Sequence, residues 1–368
     1  MKKCHIAYLA CTAALLGAGL GAAPATSAPA AHHSHATHVV RPGQSIQKAV
    51  DAAKAGDTVY VLPGTYRESV KIGTPWLTLR GAGPKTVIRP AGKTAVTAAK
   101  GAAKASDSCA EGGNGICVVG TKKTNVQGVT VADLTVTGFS RTGVFGMATD
   151  SLTVRDVHAH KNGVWGIALE RSVHGLLRNN YAHANGDAGL FLANTIKEEA
   201  GAYDAGQTLV EHNRVEDNRI GVTVRRLRNV TVAENDVTGN CAGVFVVGDE
   251  NKPKTGSIEV AANRVVKNNK SCPKTDRLPA LQGSGIVLTG TEKTRVTQNH
   301  VSGNSGTSPL SGGIVLFKSF VGVTSDKNTI DANTLESNAP ADLVNTDKGK
   351  GNTFQRNTCR ASRPAGLC

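Results

Sequence analysis

The stretch GVTVRRLRNVTVAENDVTGNCAGVFVV, residues 221–247, contains the repeat that decides the fold of this protein. It opens with a glycine followed by alternating valines, and the same pattern returns at residues 243–246. Between the two lie a second alternating segment, residues 230–232, and two asparagines five positions apart, Asn235 and Asn240. Because alternation with a period of two is typical of β-strands, each unit of about 22 residues predicts short strands joined by tight turns.

The asparagine pair recurs along the chain, and its offset of five residues never changes. The pairs are Asn180/Asn185, Asn213/Asn218, Asn235/Asn240, Asn263/Asn268, Asn299/Asn304 and Asn333/Asn338, and Asn357 continues the first column. Coils stacked about 4.8 Å apart place equivalent side chains in columns, in which buried amides can satisfy one another and the turn backbone. Asparagine also tolerates the left-handed conformation that such turns need, so we expect a structural role for these residues.

This repeat resembles the right-handed parallel β-helix, or pectin-lyase-like, superfamily, including its secreted NosD-like repeat proteins. The segment VVRPGQSIQKAVDAAKAGDTVYVLPGTYRESV, residues 39–70, also resembles the N-terminal cap of these proteins. In such a cap, a short amphipathic helix over residues 45–54 covers the first coil. The inward-facing residues of that helix would be Ile46, Ala49, Val50 and Ala53. The resemblance implies an all-β, single-stranded right-handed parallel β-helix over residues 39–368, with an N-terminal capping helix.

Residues 1–30 have the features of an export signal, and the sequence therefore predicts a secreted protein. Lys2 and Lys3 precede an apolar run that is too short for a stable membrane anchor, and small residues follow it. Residues 31–38, AHHSHATH, form a histidine-rich linker. Cleavage after Ala30 would place a histidine third from a free amine, an arrangement that binds Cu(II) or Ni(II). A metal-maturation role of the NosD kind is thus an alternative, but we expect a linker and no cofactor.

Six cysteines follow the export signal, and an even number in an exported chain predicts disulfides between sequence neighbours. The expected pairs are Cys109–Cys117, Cys241–Cys272 and Cys359–Cys368. Cys241 follows Asn240 and Cys272 lies just beyond Asn268, so that bond would join consecutive coils. No CxxC pair occurs in the sequence, which argues against a zinc knuckle or a thioredoxin-like motif.

The formal net charge of +14 favours an acidic partner. We expect that partner to be an acidic polysaccharide or another cell-envelope polymer, and we expect the protein to be a monomer. Arg226 and Arg228 are expected to face solvent. Because no aromatic residues are interleaved with these arginines, nucleic-acid binding is not expected.

The outward positions of the glycine-initiated strands predict a functional face. The first outward column is Ala148, Ala168, Phe191, Thr223, Phe245, Val287 and Val315. In the second column, Asp150 and Glu170 would lie about 5 Å apart in adjacent coils, where one carboxyl pKa is raised, as general acid–base pairs require. Arg225, two coils further on, would bind a substrate carboxylate.

A second column on the adjoining strand contains His160, His183 and Glu216, with Asp187 in the turn nearby. A histidine beside acidic groups suits abstraction of the proton next to a uronate carboxyl. The candidate catalytic residues are therefore Asp150, Glu170 and His183. The candidate substrate-binding residues are Arg225, His160, Asp187 and Phe245.

Two function classes remain open, because the fold hosts lyases, hydrolases, epimerases and non-enzymes. The sequence lacks the known catalytic motifs of the superfamily; of the polygalacturonase-like set, only Asn345-Thr346-Asp347 occurs. The first hypothesis is binding of an acidic polysaccharide, with lyase, epimerase or hydrolase processing left open. Its rival is a non-catalytic structural or adhesive solenoid that meets a protein partner through the apolar stripe from Phe245 to Phe317.

The two hypotheses differ in what they require of the site. An enzyme requires the Asp150/Glu170 and His160/His183 columns to converge on one open groove. A structural module requires those side chains to be dispersed and the groove to be filled by the loops at residues 269–284 and 318–328. A third reading of the apolar stripe is that the chain's own loops cover it.

Overall fold

The computed structural model of the protein describes residues 35–92, 109–121, 123–195, 199–276 and 278–368. In these ranges the backbone is almost entirely β, with one α-helix at Ile46–Ala52. The predicted export signal, its cleavage sites and residues 31–34 of the linker lie outside the described residues. None of the helices in those ranges has the length and apolar character needed to cross a bilayer.

Sheet I contains the glycine-initiated strands, and hydrogen bonds join 11 parallel strands in chain order. They are Val70–Ile72, Ile116–Val119, Thr142–Met147, Trp165–Glu170, Ala188–Ala193, Ile220–Arg225, Ala242–Val247, Ser284–Thr289, Gly312–Phe317, Leu343–Asn345 and Ser362–Arg363.

Sheet II contains the 21 strands that form the rest of the coils. They are Thr37–Val40, Thr58–Val61, Gly64–Arg67, Thr78–Gly81, Thr86–Arg89, Thr130–Thr137, Thr153–His160, Leu176–Arg178, Tyr181–His183, Tyr203–Glu211, Arg214–Glu216, Leu227–Ala233, Asp236–Thr238, Thr255–Ala261, Arg264–Val266, Thr291–Glu292, Arg295–Thr297, His300–Ser302, Thr329–Asp331, Thr334–Glu336 and Thr353–Gln355. Val126–Gln127 and Thr149–Asp150 pair as a small third sheet.

Strand register shows how one coil stacks on the next. Val222 pairs in parallel with Leu190 of the preceding coil and Val244 of the following coil, and all three side chains are fully buried. The valines and leucines at alternate positions therefore fill the interior, and each coil is covered by its two neighbours. This arrangement confirms the predicted parallel β-helix.

The predicted asparagine columns are continuous hydrogen-bonded ladders. In each ladder the Nδ2 of one asparagine donates to the Oδ1 of the asparagine in the next coil, at 2.9–3.1 Å. The structure adds Asn162, which the sequence pattern missed, to the start of the second ladder. At the other end Asn338 donates to the buried carboxylate of Asp342 at 2.9 Å.

The left-handed turn residue is not the ladder asparagine, contrary to expectation. The positive φ falls on the residue before it, as in Ala184 (54°), Asp217 (58°) and Ala262 (53°). The side chain of a ladder asparagine such as Asn185 forms four hydrogen bonds within the β-helix. The left-handed turn therefore falls on the residue before the asparagine, and several residue types occur at that position.

The glycine that opens each sheet I strand lies against the asparagine ladder. A Cβ added to this glycine would lie 2.8–3.2 Å from a ladder Nδ2 and 2.3–3.0 Å from a backbone carbonyl oxygen of the next coil. The glycines in question are Gly143, Gly166, Gly189, Gly221, Gly243, Gly285 and Gly313. A side chain is excluded at these glycines because their backbone lies so close to the ladder, and not because of a positive φ.

The N-terminal cap has the predicted amphipathic helix, although it is shorter than residues 45–54. Ser45 caps Ile46–Ala52 by accepting a hydrogen bond from the Lys48 backbone N–H, and Ile46 and Val50 are buried. The helix ends early because Ala53 is extended. The carboxylate of Asp57 accepts a hydrogen bond from the Lys54 backbone N–H at 2.9 Å.

All three predicted disulfides are present in the structure. They join Cys109 to Cys117, Cys241 to Cys272 and Cys359 to Cys368. Cys272 also forms an antiparallel bridge with Leu281, so the second disulfide ties the loop at residues 269–284 to the sheet I edge at Cys241. That loop is therefore held over the outer surface of sheet I.

Candidate functional site

A cleft of about 480 Å³ lies over the middle of sheet I, and the outward side chains of its strands form the floor. The floor residues are Phe191, Thr223, Arg225, Phe245, Val247 and Thr289. The walls come from the loops predicted to surround this sheet, which contribute Glu199, Asp249, Glu250, Leu278 and Phe320. The loops therefore enclose a groove rather than fill it completely.

An aromatic pair forms one end of the cleft. The rings of Trp165 and Phe191 stack with centroids 4.4 Å apart and planes 15° from parallel. Trp165 Nε1 donates to the Asp187 carboxylate at 3.1 Å, and the Arg141 guanidinium lies 5.3 Å from the ring centroid. The tryptophan is thus fixed in position by its partners, and a rigid apolar surface faces the cleft.

Two hydroxyl groups on the floor lack a hydrogen-bond partner. Thr223 and Thr289 are 5% and 3% exposed, and within the described residues nothing bonds to either Oγ1. A buried hydroxyl without a partner is costly, unless a ligand supplies one. Both oxygens are closed off from solvent, so they are unsatisfied positions beneath the floor and not contact points for a ligand.

Arg226 and Arg228 do not face solvent, so that expectation was wrong. Arg226 is 4% exposed and forms ion pairs with Asp249 and with Glu199, the latter at 2.7 Å. Arg228 pairs with Glu292 at 2.7 Å. Because Arg226 joins the loop at Glu199 to the loop at Asp249, its charge is used to build the cleft wall.

The apolar stripe from Phe245 to Phe317 is covered, which rules out its use as an open partner surface. Phe245, Val287 and Phe317 are each less than 5% exposed. Leu281 and Leu310 belong to the same buried cluster, and the Phe320 ring lies 5.0 Å from that of Phe317. Phe320 itself is 59% exposed and lines the cleft, so it is the accessible aromatic residue of this region.

Asp150 and Glu170 are not equivalent, which corrects the predicted carboxylate pair. Glu170 is in register with Met147, whereas Asp150 belongs to the small third sheet and bridges Val173. The sequence frame took Gly146 as the repeat glycine, but Gly143 is the one against the ladder. Met147 and Phe145 therefore replace Asp150 and Ala148 in the outward columns.

Asp150 has a different partner from the one predicted. Its carboxylate lies 2.8 Å from Nδ1 of His174 and accepts a hydrogen bond from Ser151 at 2.9 Å. This pair stands at an exposed turn outside the cleft. His174 was not predicted, since only the strand register brings it beside Asp150.

The histidine column predicted on sheet II is present. His160, His183 and Glu216 are in register, and the two imidazole rings stack 4.8 Å apart within 5° of parallel. Tyr181 donates to Glu216, which also accepts from Arg214 at 2.8 Å. Burial, and then the hydrogen bond to Glu216, raise the pKa of Tyr181 to about 12. Burial lowers the pKa of both His160 and His183.

We expect the stacked histidines to make stability depend on pH. In the unfolded chain they take up protons near the ordinary pKa of about 6.5, whereas the folded pair stays neutral to lower pH. Below that pH the unfolded state binds more protons, so the free energy of unfolding should fall as the pH is lowered from about 6.5 to 5. Urea unfolding at several pH values measures this slope. His183→Gln should reduce it and His300→Gln, outside the stack, should not; equal slopes in both variants would contradict the assignment.

The structure brings together only part of the predicted site. Asp187, Arg225 and Phe245 line the cleft. The catalytic candidates do not meet: Asp150 belongs to the small third sheet, Glu170 to sheet I and His183 to sheet II, and none of the three lines the cleft. The sequence analysis did not identify Trp165 or Phe320 as site residues. Trp165 lies at the start of a strand, where the repeat pattern gave no outward position, and Phe320 lies in a loop.

Comparison with protein families matches the description "Right handed beta helix region" over residues 101–265 and 208–330. Among solved structures, an alginate lyase from Paenibacillus sp. str. FPU-7 is similar with a TM-score of 0.55 and 14% identity, covering 86% of this chain and 99% of that one. DFA-IIIase from Arthrobacter chlorophenolicus A6 without its lid gives a TM-score of 0.60 and 14% identity, covering 89% and 90%. At such identities the likeness concerns the fold. A search among curated proteins finds no significant match.

Proposed function

This chain belongs to the right-handed β-helix family, and from that premise we propose that it is an exported protein that binds a polysaccharide in the cleft over sheet I. In this proposal residues 1–30 are the export signal, residues 31–38 a linker whose last two residues already pair in the first strand of sheet II, and residues 39–368 the β-helix domain. The three disulfides support export, because such bonds persist in oxidising compartments.

The observation that carries the proposal is the open cleft, whose lining combines an exposed aromatic ring with charged side chains. Sugars have apolar faces that stack on aromatic rings and hydroxyl groups that need hydrogen-bond partners. Phe320 supplies an accessible ring, and Arg225 and Glu250 supply polar groups in the lining. A mostly apolar cleft with a few polar groups is typical of a small-molecule or sugar-unit site.

The more specific part of the proposal is that the polysaccharide is acidic. Within the cleft, this part depends on Arg225. Arg225 lines the floor and would contact one uronate carboxylate, while Asp187 and Glu250 would accept sugar hydroxyls. The name of one structural neighbour, an alginate lyase, refers to a polysaccharide, which supports this choice of ligand class.

We propose binding without assigning a catalytic centre. The predicted catalytic residues Asp150, Glu170 and His183 lie on three different sheets, as a non-catalytic solenoid requires. This dispersal favours a protein without catalytic turnover, as the rival hypothesis holds. The open cleft favours a polysaccharide as the partner, as the first hypothesis holds.

Replacing the accessible cleft aromatic should weaken polysaccharide binding. We expect Phe320→Ala to raise the dissociation constant by about fivefold, since one aromatic contact contributes about 1 kcal/mol. Arg225→Gln should weaken binding of polygalacturonate but not of a neutral polymer such as dextran. Affinity electrophoresis or calorimetry with both polymers measures these effects.

Trp76→Ala is the matched control for Phe320→Ala. Trp76 is also exposed, at 55% against 59%, but it lies over Gly128 and does not line the cleft. Equal losses in the two variants, or no binding to any polymer, would exclude the cleft as a polysaccharide site. An assay for unsaturated products and new reducing ends, run on the same samples, reports turnover independently of binding.

A further inference from the structure

A second groove, of about 460 Å³, lies on sheet II. Thr231, Glu259 and Arg295 occupy equivalent positions of three consecutive coils in its floor. Lys293 lies two residues before Arg295, in a left-handed turn with φ of 50°. Lys327 has the equivalent position in the next coil, with φ of 56°. We call the lining residues Thr231, Glu259, Lys293 and Arg295, together with Lys327 from the next coil, the basic groove.

The carboxylates around the basic groove are occupied by other cations. Glu292, next to Lys293, pairs with Arg228 at 2.7 Å. Asp326, next to Lys327, accepts from Lys254 Nζ at 2.6 Å, and this bond lowers the pKa of the carboxyl to about 2. The carboxylates beside these two lysines are therefore paired within their own networks.

Arg295 has an equally occupied neighbour. Asp331 lies in the strand Thr329–Asp331, whose first residue is in register with Arg295, and its carboxylate accepts from Arg356 Nε at 2.8 Å. Arg356 first, and Arg295 after it, lower the pKa of this carboxyl. That leaves Glu259 as the one carboxylate lining the described part of the groove. Lys293, Arg295 and Lys327 are exposed, and in the described ranges no carboxylate lies within 4.0 Å of their charged atoms.

We propose that the basic groove binds the anionic groups of a linear acidic polysaccharide that runs along the β-helix axis. Lys293 and Lys327 come from adjacent coils about 4.8 Å apart, so they follow a row of charges rather than surround one small anion. None of the described residues that line the groove is aromatic, so the groove has no surface on which nucleic-acid bases would stack. The inference rests on the proposed function for the class of polymer, but it concerns a separate site.

Removing the three cations tests the inference. We expect Lys293→Gln/Arg295→Gln/Lys327→Gln to weaken binding of polygalacturonate by about tenfold, since each exposed ion contact contributes up to about 1 kcal/mol. The remaining binding should also depend less on salt concentration. The matched control is Lys48→Gln/Lys54→Gln/Arg67→Gln, which removes the same charge from exposed positions of the N-terminal cap. That control should weaken binding by less than about threefold.

The outcomes separate the groove from the cleft. Equal weakening by both triple variants would show that overall charge, not the groove, holds the polymer, and no weakening by either would exclude the groove. Duplex DNA that displaces polygalacturonate as well as polygalacturonate itself would also overturn the assignment. Dextran binding reports the cleft alone: it should respond to Phe320→Ala and not to the groove variant.

Discussion

Asn180→Ala should lower the free energy of unfolding by about 3–5 kcal/mol, because it leaves two buried backbone groups of the strand Thr153–His160 without partners. Asn180 Oδ1 accepts from the Val157 backbone N–H at 3.1 Å, and its Nδ2 donates to the Val154 carbonyl at 2.8 Å. The same Nδ2 donates to Asn213 in the next coil. Alanine provides none of these bonds and the site is 1% exposed, so water cannot replace them.

Asn179→Ala is the control for this variant, since it removes the same side chain one residue away. Asn179 is exposed and has a left-handed φ of 55°. Alanine already occupies the equivalent position in other coils, as Ala262 and Ala332, each with φ of 53°. We expect a change of less than about 1 kcal/mol. Urea unfolding followed by circular dichroism compares the two variants, and similar midpoints would refute the ladder's role in stability.

Gly221→Ala should destabilise the protein by about 2–3 kcal/mol through overpacking. A Cβ at this position would lie 2.5 Å from Val237 Cγ1 and 2.6 Å from the Gly243 carbonyl oxygen. Both neighbours belong to the packed interior of adjoining strands, so neither can move without disturbing another coil. The midpoint of thermal unfolding measures the effect.

The same substitution at Gly239 separates crowding from the loss of a glycine. Gly239 has φ of +67°, and the nearest heavy atom to an added Cβ is 3.4 Å away. Ala184 shows that alanine is accommodated at the equivalent turn position. Gly239→Ala should therefore change stability by about 1 kcal/mol or less. If it costs as much as Gly221→Ala, close approach to the ladder is not the reason for the repeat glycine.

The fold was predictable because one coil carries almost all the information needed for the next. Val222 and Val244 pair with each other in consecutive coils, so a pattern that repeats in sequence also repeats in space. The constant asparagine offset predicted the residues of both ladders except Asn162. Asn162 has no asparagine five residues before it, because the first ladder begins one coil later. The disulfides were predicted from sequence neighbourhood, and for Cys241–Cys272 the coil frame agreed with that pairing.

The site was less predictable, because its side chains come from loops and from register. The sequence pattern allowed either Gly143 or Gly146 to be the repeat glycine, and only contact with the ladder distinguishes them. With Gly143 as the repeat glycine, Asp150 no longer belongs to the outward column. Arg226 is a second case: no local pattern shows that Asp249 and Glu199, from two different loops, bury it. Loop residues such as Phe320 follow no repeat, so periodicity gives them no position.

The ladders also have a direction. In both ladders the bond from one asparagine Nδ2 to the next asparagine Oδ1 always runs toward the C-terminal coils, so these side-chain bonds line up head to tail, as peptide bonds do along an α-helix. The second ladder therefore presents partial positive charge at its last coil, where the anionic side chain of Asp342 receives it. The first ladder ends at neutral Asn357 instead. A column of uncharged amides thus acts as an electrostatic axis of the β-helix, and one of its two ends has a counter-charge.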